Sequence, residues 1–355
     1  MIQIYIVLAV VLFGALVAVH EFGHFITAKL SGVRVNEFAI GMGPAIIKKQ
    51  FGETLYSLRI LPFGGFCAME GEDSSGDDPR SFRNAKLWKR IVVLAAGAGM
   101  NFILGFISIV VMVCMMTDIP TTQISGFAGM VNDDGSKVYY SDSYKTGLRH
   151  DDIIVKVDKT PIFSVLDLNF MLMLDPADTD HDLVVKRDGK KIKLDNVNFH
   201  NSQTGEKMDF GLVYLDKNIG NVVRYSGQTF ASMSHVVGLS LKYLFTGKVS
   251  KDEVSGPVGV VTTINETTQQ AESTGDAIFN IFYMMSLITI NVGIFNLLPI
   301  PGLDGGRLLF CFIELIRRKP IKPEHEGYVH LAGMILLFGI MIFATFNDIM
   351  RLFQK

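Results

Sequence analysis

The chain has 355 residues, a formal net charge of -2 and only 19% charged residues. Soluble domains carry about a quarter, so this composition, with a mean hydropathy of +0.32, points to a membrane protein with room for several spans and a soluble module. No basic surplus exists to neutralise nucleic-acid phosphates. The three scattered cysteines, Cys67, Cys114 and Cys311, build neither a disulfide framework nor a CxxC metal knuckle.

The first span is expected over residues 1–32, with its apolar run from about Ile4 to Leu30, because about 20 helical residues cross a hydrocarbon core. No Lys or Arg precedes that run, so it lacks the basic n-region of a cleaved signal and is expected to be retained. Residues 33–70 break into short β-prone runs punctuated by Gly41-Met42-Gly43-Pro44 and Pro62-Phe63-Gly64-Gly65-Phe66, a pattern that predicts hairpins. A loop over 71–90 then leads to a second span over 91–116. Residues 121–215 predict a small α/β domain, with Asp188-Gly189 as a hairpin turn. Residues 222–275 predict a connector in which Phe230 to Phe245 forms an amphipathic interfacial helix. A third span is expected over 277–306, a loop over 307–327 and a fourth span over 328–350. Basic residues cluster after span one, before span two and between spans three and four. The positive-inside rule makes those loops cytoplasmic and puts both termini and residues 117–276 outside.

The chemistry is concentrated in His20-Glu21-Phe22-Gly23-His24. On a helix, histidines four apart share one face and can take two of the tetrahedral positions around one Zn²⁺. Glu21, beside the first of them, can then serve as general base toward a water. Ionisable residues inside an apolar span cost a few kcal/mol each at the bilayer centre. A satisfied core histidine explains one such residue, not three at this spacing. A third ligand is sought at similar depth. Asp304, in Asn296-Leu297-Leu298-Pro299-Ile300-Pro301-Gly302-Leu303-Asp304-Gly305-Gly306, lies where two prolines and three glycines break the helix, and such backbone is tolerated at membrane depth only inside protein or along a wet cavity. His325 and His330, which flank span four, are the alternatives. Two other classes compete: a zinc transporter, since such residues also mark ion pathways, and a scaffold with a structural site closed by four protein ligands.

With these motifs in this order, the chain resembles the site-2 family of intramembrane zinc metalloproteases, in particular its bacterial regulator-of-sigma-E type. The likeness runs from about Val19 to Phe346 and includes Ser255-Gly256-Pro257-Val258-Gly259 before the third span. It implies a polytopic α-helical membrane protein with four transmembrane helices, a membrane-associated β-hairpin sheet and an inserted extracytoplasmic PDZ-like α/β domain. It implies Zn²⁺ held by His20, His24 and Asp304, Glu21 as catalytic acid/base, and Asn296 with Pro299 at the substrate backbone. The edge of the sheet over 33–66 would receive the substrate, with Gly64, Gly65 and Phe66 in the adjoining loop. The implied partners are the lipid bilayer and single-pass membrane proteins, such as anti-sigma factors, or remnant signal peptides. The implied location is the bacterial cytoplasmic (inner) membrane, with the active site toward the cytoplasm. Two features depart from the type: residues 121–215 suit one PDZ-like domain where many relatives carry two, and the nearest candidate for a carboxylate-binding loop is Gly126-Phe127-Ala128-Gly129.

Overall fold

The computed structural model describes residues 2–72, 78–127, 129–131, 137–139, 141–174, 179–199, 208–246, 259, 262 and 273–354. In chain order the elements are α1 (Ile2–Ser31), β1 (Val35–Phe51), β2 (Thr54–Met69), a 3-10 turn (Phe82–Asn84), α2 (Leu87–Met115), β3 (Asp118–Phe127), β4 (Gly129–Val131), β5 (Lys137–Tyr139), α3 (Asp142–Lys145), β6 (Ile153–Val157), β7 (Thr160–Pro161) and α4 (Val165–Leu174). They continue with β8 (Asp180–Arg187), β9 (Lys190–Asn198), β10 (Phe210–Asp216), α5 (Ile219–Thr246), α6 (Thr274–Leu297), α7 (Asp304–Arg317) and α8 (Pro323–Gln354). The chain forms two compact units, Met1–Ser108 with Tyr243–Lys355, and Ile109–Lys242.

Among the described residues, four helices are long and apolar enough to cross a membrane: Val11–Ser31 of α1, α2, α6 and Glu324–Arg351 of α8. Span three opens on a capping box, in which Ser273 Oγ accepts from Asp276 N and the Asp276 carboxylate accepts from Ser273 N, so two otherwise orphaned donors are satisfied. The helix stops at Leu297, ahead of the prolines and glycines expected to break it, because Pro299 and Pro301 cannot supply the donors that would carry it on. The stretch expected as a loop over 307–327 instead contains most of α7.

In the first unit, β1 and β2 are two long strands that fold back to make four pairing segments. Glu37 to Ile40 face Ala68 to Gly65 on one side and Leu55 to Leu58 on the other, while Ile47 to Phe51 pair with Leu58 to Thr54. The resulting order is 65–69, 35–40, 54–59, 45–51. The bends fall at Gly41, Gly43 and Gly64, whose φ values of +87°, +81° and +83° suit glycine alone. The core beneath joins Ala28, Val35, Cys67, Val93, Leu308 and Cys311. The Phe25 and Phe38 rings, 5.2 Å apart, pin the sheet to α1.

In the second unit a six-stranded sheet has the order β10-β3-β6-β8-β9, with β7 on β6. Its core includes Ile124, Leu148, Ile154, Leu168, Leu183, Val185 and Phe199. Buried Asp152 holds Arg187 through two contacts of 2.7 Å. Helix α5 begins at Ile219, earlier than the expected amphipathic stretch, and its buried face is used within this unit. His235 Nδ1 lies 2.9 Å from Asp167 Oδ1, and the Ser232 hydroxyl donates to the same carboxylate. Gly126 and Phe127 pair with Gly211 and Phe210, so they are committed to a strand ladder rather than an open carboxylate-binding loop; Ala128 lies outside the described residues.

Candidate metal centre

His20, Glu21 and His24 lie in the third to last turns of α1, and helical periodicity turns both imidazoles to one side. Asp304 is the first residue of α7. Its position is fixed by Gly305 and Gly306. A side chain at Gly305 would start 2.0 Å from the Leu298 carbonyl oxygen, and one at Gly306 would start 2.6 Å from that of Ile300. The glycines therefore let the first turn of α7 press against the loop that ends span three.

These elements bring three side chains together. His20 Nε2 and His24 Nε2 are 3.2 Å apart, and Asp304 Oδ2 lies 3.1 Å from the first and 3.3 Å from the second. Among the described residues this is the cluster of His, Cys, Asp and Glu able to hold a metal ion. Three tests of fit agree. First, bonds of about 2.0–2.1 Å in a tetrahedral site put ligand atoms about 3.3 Å apart, the spacing observed. Second, Asp304 Oδ2 is buried and accepts no well-formed hydrogen bond, a costly state for a carboxylate oxygen unless a cation completes it. Third, His24 Nδ1 donates to the Val93 carbonyl at 2.9 Å, which leaves Nε2 as the free lone pair facing the cluster.

Span two supplies the rest of the surround, and sequence reasoning missed it. Asn101, fully buried, places its amide 3.1 Å from His20 Nδ1 while its Oδ1 has no partner. A half-turn of that amide sets its oxygen on the ring N–H of a histidine that coordinates through Nε2, and the two amide ends are interchangeable in shape. Gly97 gives the imidazoles their room: a side chain there would start 2.4 Å from His24 Nε2 and 2.7 Å from His20 Nε2. The only signals in the sequence were an amide inside an apolar span and the small-residue run Ala95-Ala96-Gly97-Ala98-Gly99.

The remaining expected residues lie outside this cluster. Gly64, Gly65 and Phe66 lie on β2. A side chain at Gly65 would start 3.5 Å from Glu21 Cγ and 3.4 Å from Val17 Cγ1, so the 65–69 edge runs beside the helix that carries the cluster. The Arg59 guanidinium sits 4.8 Å above the Phe66 ring. Asn296 is on the last turn of α6 and Pro299 follows it, exposed. His330 accepts from Gly302 N at 3.2 Å and His325 is exposed; neither belongs to the cluster. Residues 255–258 lie outside the described residues, as does His200.

Residues 8–340 match the family described as Peptidase family M50. The regulator of sigma-W protease RasP of Bacillus subtilis is 30% identical over 97% of this chain and 98% of its own length. The zinc metalloprotease RasP of Bacillus licheniformis is 29% identical over the same shares. A Clostridium perfringens relative, whose name assigns it provisionally to the zinc metalloproteases, is 34% identical over 97% of this chain and 98% of its own.

Proposed function

The chain belongs to peptidase family M50, and from that membership we propose that it is a zinc endopeptidase that cuts transmembrane segments of other proteins within the bilayer. The observation that carries the proposal is the convergence of two imidazoles and one carboxylate at mutual distances of 3.1 to 3.3 Å. His20, His24 and Asp304 would hold the metal. Among the described residues three protein ligands are at hand, which leaves one tetrahedral position open, as in catalytic rather than structural sites, and favours hydrolysis over the scaffold reading. Zinc bound there supplies a Lewis acid that polarises a carbonyl and lowers the pKa of water to about 7. Glu21 takes the proton of the attacking water and returns it to the leaving amine nitrogen. His24 is kept in the competent tautomer by the Val93 carbonyl, and His20 would be kept so by the Asn101 amide oxygen once that amide is turned. A zinc transporter would give neither Glu21 nor the sheet a task.

The sheet answers the second chemical requirement. A peptide bond inside a transmembrane helix is shielded by its own hydrogen bonds, so the target has to unwind, and an unwound backbone in hydrocarbon needs new partners. Among the described residues the 65–69 segment pairs with 35–40 on one side only, and its other edge supplies those partners by strand addition. Gly64, Gly65 and Phe66 would shape that edge beside Glu21, and Asn296 with Pro299 would hold the substrate backbone from span three. Exposed Ile40, Met42, Ile46, Ile47, Ile60 and Leu61 support a sheet lying against lipid. Residues 121–215 are read as a single PDZ-like domain outside the cytoplasmic membrane that screens substrates by size, with the centre opening toward the cytoplasm. The substrates would be single-pass proteins such as anti-sigma factors, or remnant signal peptides.

The test is Glu21→Gln in the detergent-purified full chain. Zinc content should stay near one per chain, while cleavage of a single-pass substrate falls by about 10²–10⁴-fold, the range of a lost general base. Cleavage at the wild-type rate would refute the role of Glu21. Loss of zinc would mean that Glu21 holds the site together rather than moving protons.

A further inference from the structure

Helix α7 buries one face and leaves the other bare. Leu308, Cys311 and Glu314 are buried, whereas Leu309, Phe312, Leu315 and Ile316 are exposed, the last two at 57% and 82%. Positions 309, 312 and 316 recur at helical spacing and make one outward apolar stripe. Directly after it come Arg317, Arg318, Lys319 and Lys322, all exposed. Three acidic residues share this neighbourhood, and two are already engaged. Glu314 holds Arg90 at 2.7 Å and Glu326 holds Arg83 at 3.1 Å. Among the described residues of this neighbourhood only Glu324 is left against four cations, and none of the four makes an ion pair with a described residue.

The depth of this helix is set by the same contacts. Arg90 lies in the first turn of span two, and its bond to Glu314 fixes the last turn of α7 at that level. Two residues earlier Trp88 is exposed, with the Lys89 ammonium 5.9 Å from its ring. Exposed tryptophan beside lysine is the mark of the headgroup level. An apolar stripe capped by unpaired cations at that level suits a surface that is hydrocarbon below and anionic above.

We infer that the outer face of α7 and the Arg317–Lys322 cluster form a binding site for anionic phospholipid in the cytoplasmic leaflet. The inference rests on the four-span reading but not on the proteolytic one. The apolar stripe takes acyl chains, and the guanidinium and ammonium groups take the phosphodiester. Because Asp304 is the first residue of the same helix, lipid seated here also steadies the element that carries the third candidate ligand.

The experiment places a reporter on the stripe: Phe312→Trp in a Trp88→Phe background, which leaves one tryptophan in the full chain. The protein is reconstituted into phosphatidylcholine vesicles in which a fifth of the lipid is dibrominated phosphatidylglycerol or dibrominated phosphatidylcholine. Bromine quenching should be about threefold stronger with phosphatidylglycerol, since each cation near the surface adds to the attraction. Changing Arg317, Arg318, Lys319 and Lys322 together to Ser should abolish the difference and leave quenching by phosphatidylcholine intact. Equal quenching by the two lipids in the parent protein would overturn the anionic site and reduce the cations to topology signals. No quenching by either would mean that protein, such as a second copy, covers the stripe. Displacement by free glycerol phosphate would point to a soluble anion instead. Zinc content, measured alongside, reports on the metal centre separately.

Discussion

At the scale of single residues, the candidate metal centre depends as much on a missing side chain as on those present. Gly97 stands where a Cβ would lie 2.4 Å from His24 Nε2 and 2.7 Å from His20 Nε2, closer than any real contact, so both imidazoles would have to turn away from Asp304. Elsewhere in a helix the change from Gly to Ala is favourable by about 0.5–1 kcal/mol. Gly99, two residues on, meets nothing within 4 Å and is the matched control. Gly97→Ala is expected to weaken zinc binding at least tenfold in a chelator-competition titration, with Gly99→Ala unchanged or slightly more heat-stable. Equal affinities for the two variants would mean that the histidines bind metal in some other arrangement. His20, Glu21 and His24 stood out as candidates in the sequence because ionisable groups are costly in an apolar span and need a reason to be there. Asp304 was legible as a candidate through the broken helix around it. Gly97 and Asn101 were not, since small residues and single amides also serve ordinary helix packing in membranes.

At the scale of elements, local punctuation gave the hairpins but not the sheet they build. Gly41, Gly43 and Gly64 read correctly as bends. The bends also fold each strand back, so that residues 37–40 gain partners on both sides, and nothing in a run of β-prone residues announces which segment ends at the edge. The same limit hid α7. Glycines at its start and cations at its end suggested a loop, and only packing of Leu308 and Cys311 on the core beneath makes the intervening residues a helix. The edge position of 65–69 leads to a prediction. A side chain at Gly65 would start 2.9 Å from the Ala39 carbonyl oxygen and 3.5 Å from Glu21 Cγ. Gly65→Val must therefore push the edge off α1. Displacements of about 1 Å at a site can cost about 10²-fold in rate, so substrate cleavage should fall at least tenfold while zinc content holds. Unaltered cleavage would remove this edge from substrate binding.

At the scale of the whole molecule, the arrangement across the membrane was argued from charge, and the chain carries its own means of testing it. Cys67 and Cys311 are buried, whereas Cys114 is exposed in the last turn of span two. Lys217 donates to the Cys114 carbonyl at 3.1 Å, and an ammonium group held there keeps that turn at the watery border of the bilayer, since lysine heads stay in water when they can. A membrane-impermeant maleimide thus reads one native thiol. If residues 117–276 are outside, Cys114 reacts in right-side-out vesicles and is protected in inverted ones, and Cys114→Ala removes the signal. Lys319→Cys in the Cys114→Ala background should do the opposite, because it lies in the basic segment assigned to the cytoplasm. The two results are bound together. An odd number of crossings separates Cys114 from Lys319, so finding both on one face would eliminate span three as a crossing. Reaction of Cys114 in inverted vesicles only, with Lys319→Cys reversed as well, would keep four spans and turn the whole chain over. The metal centre would then open to the outside, where water, substrate edge and anionic lipid would all have to be sought on the other face.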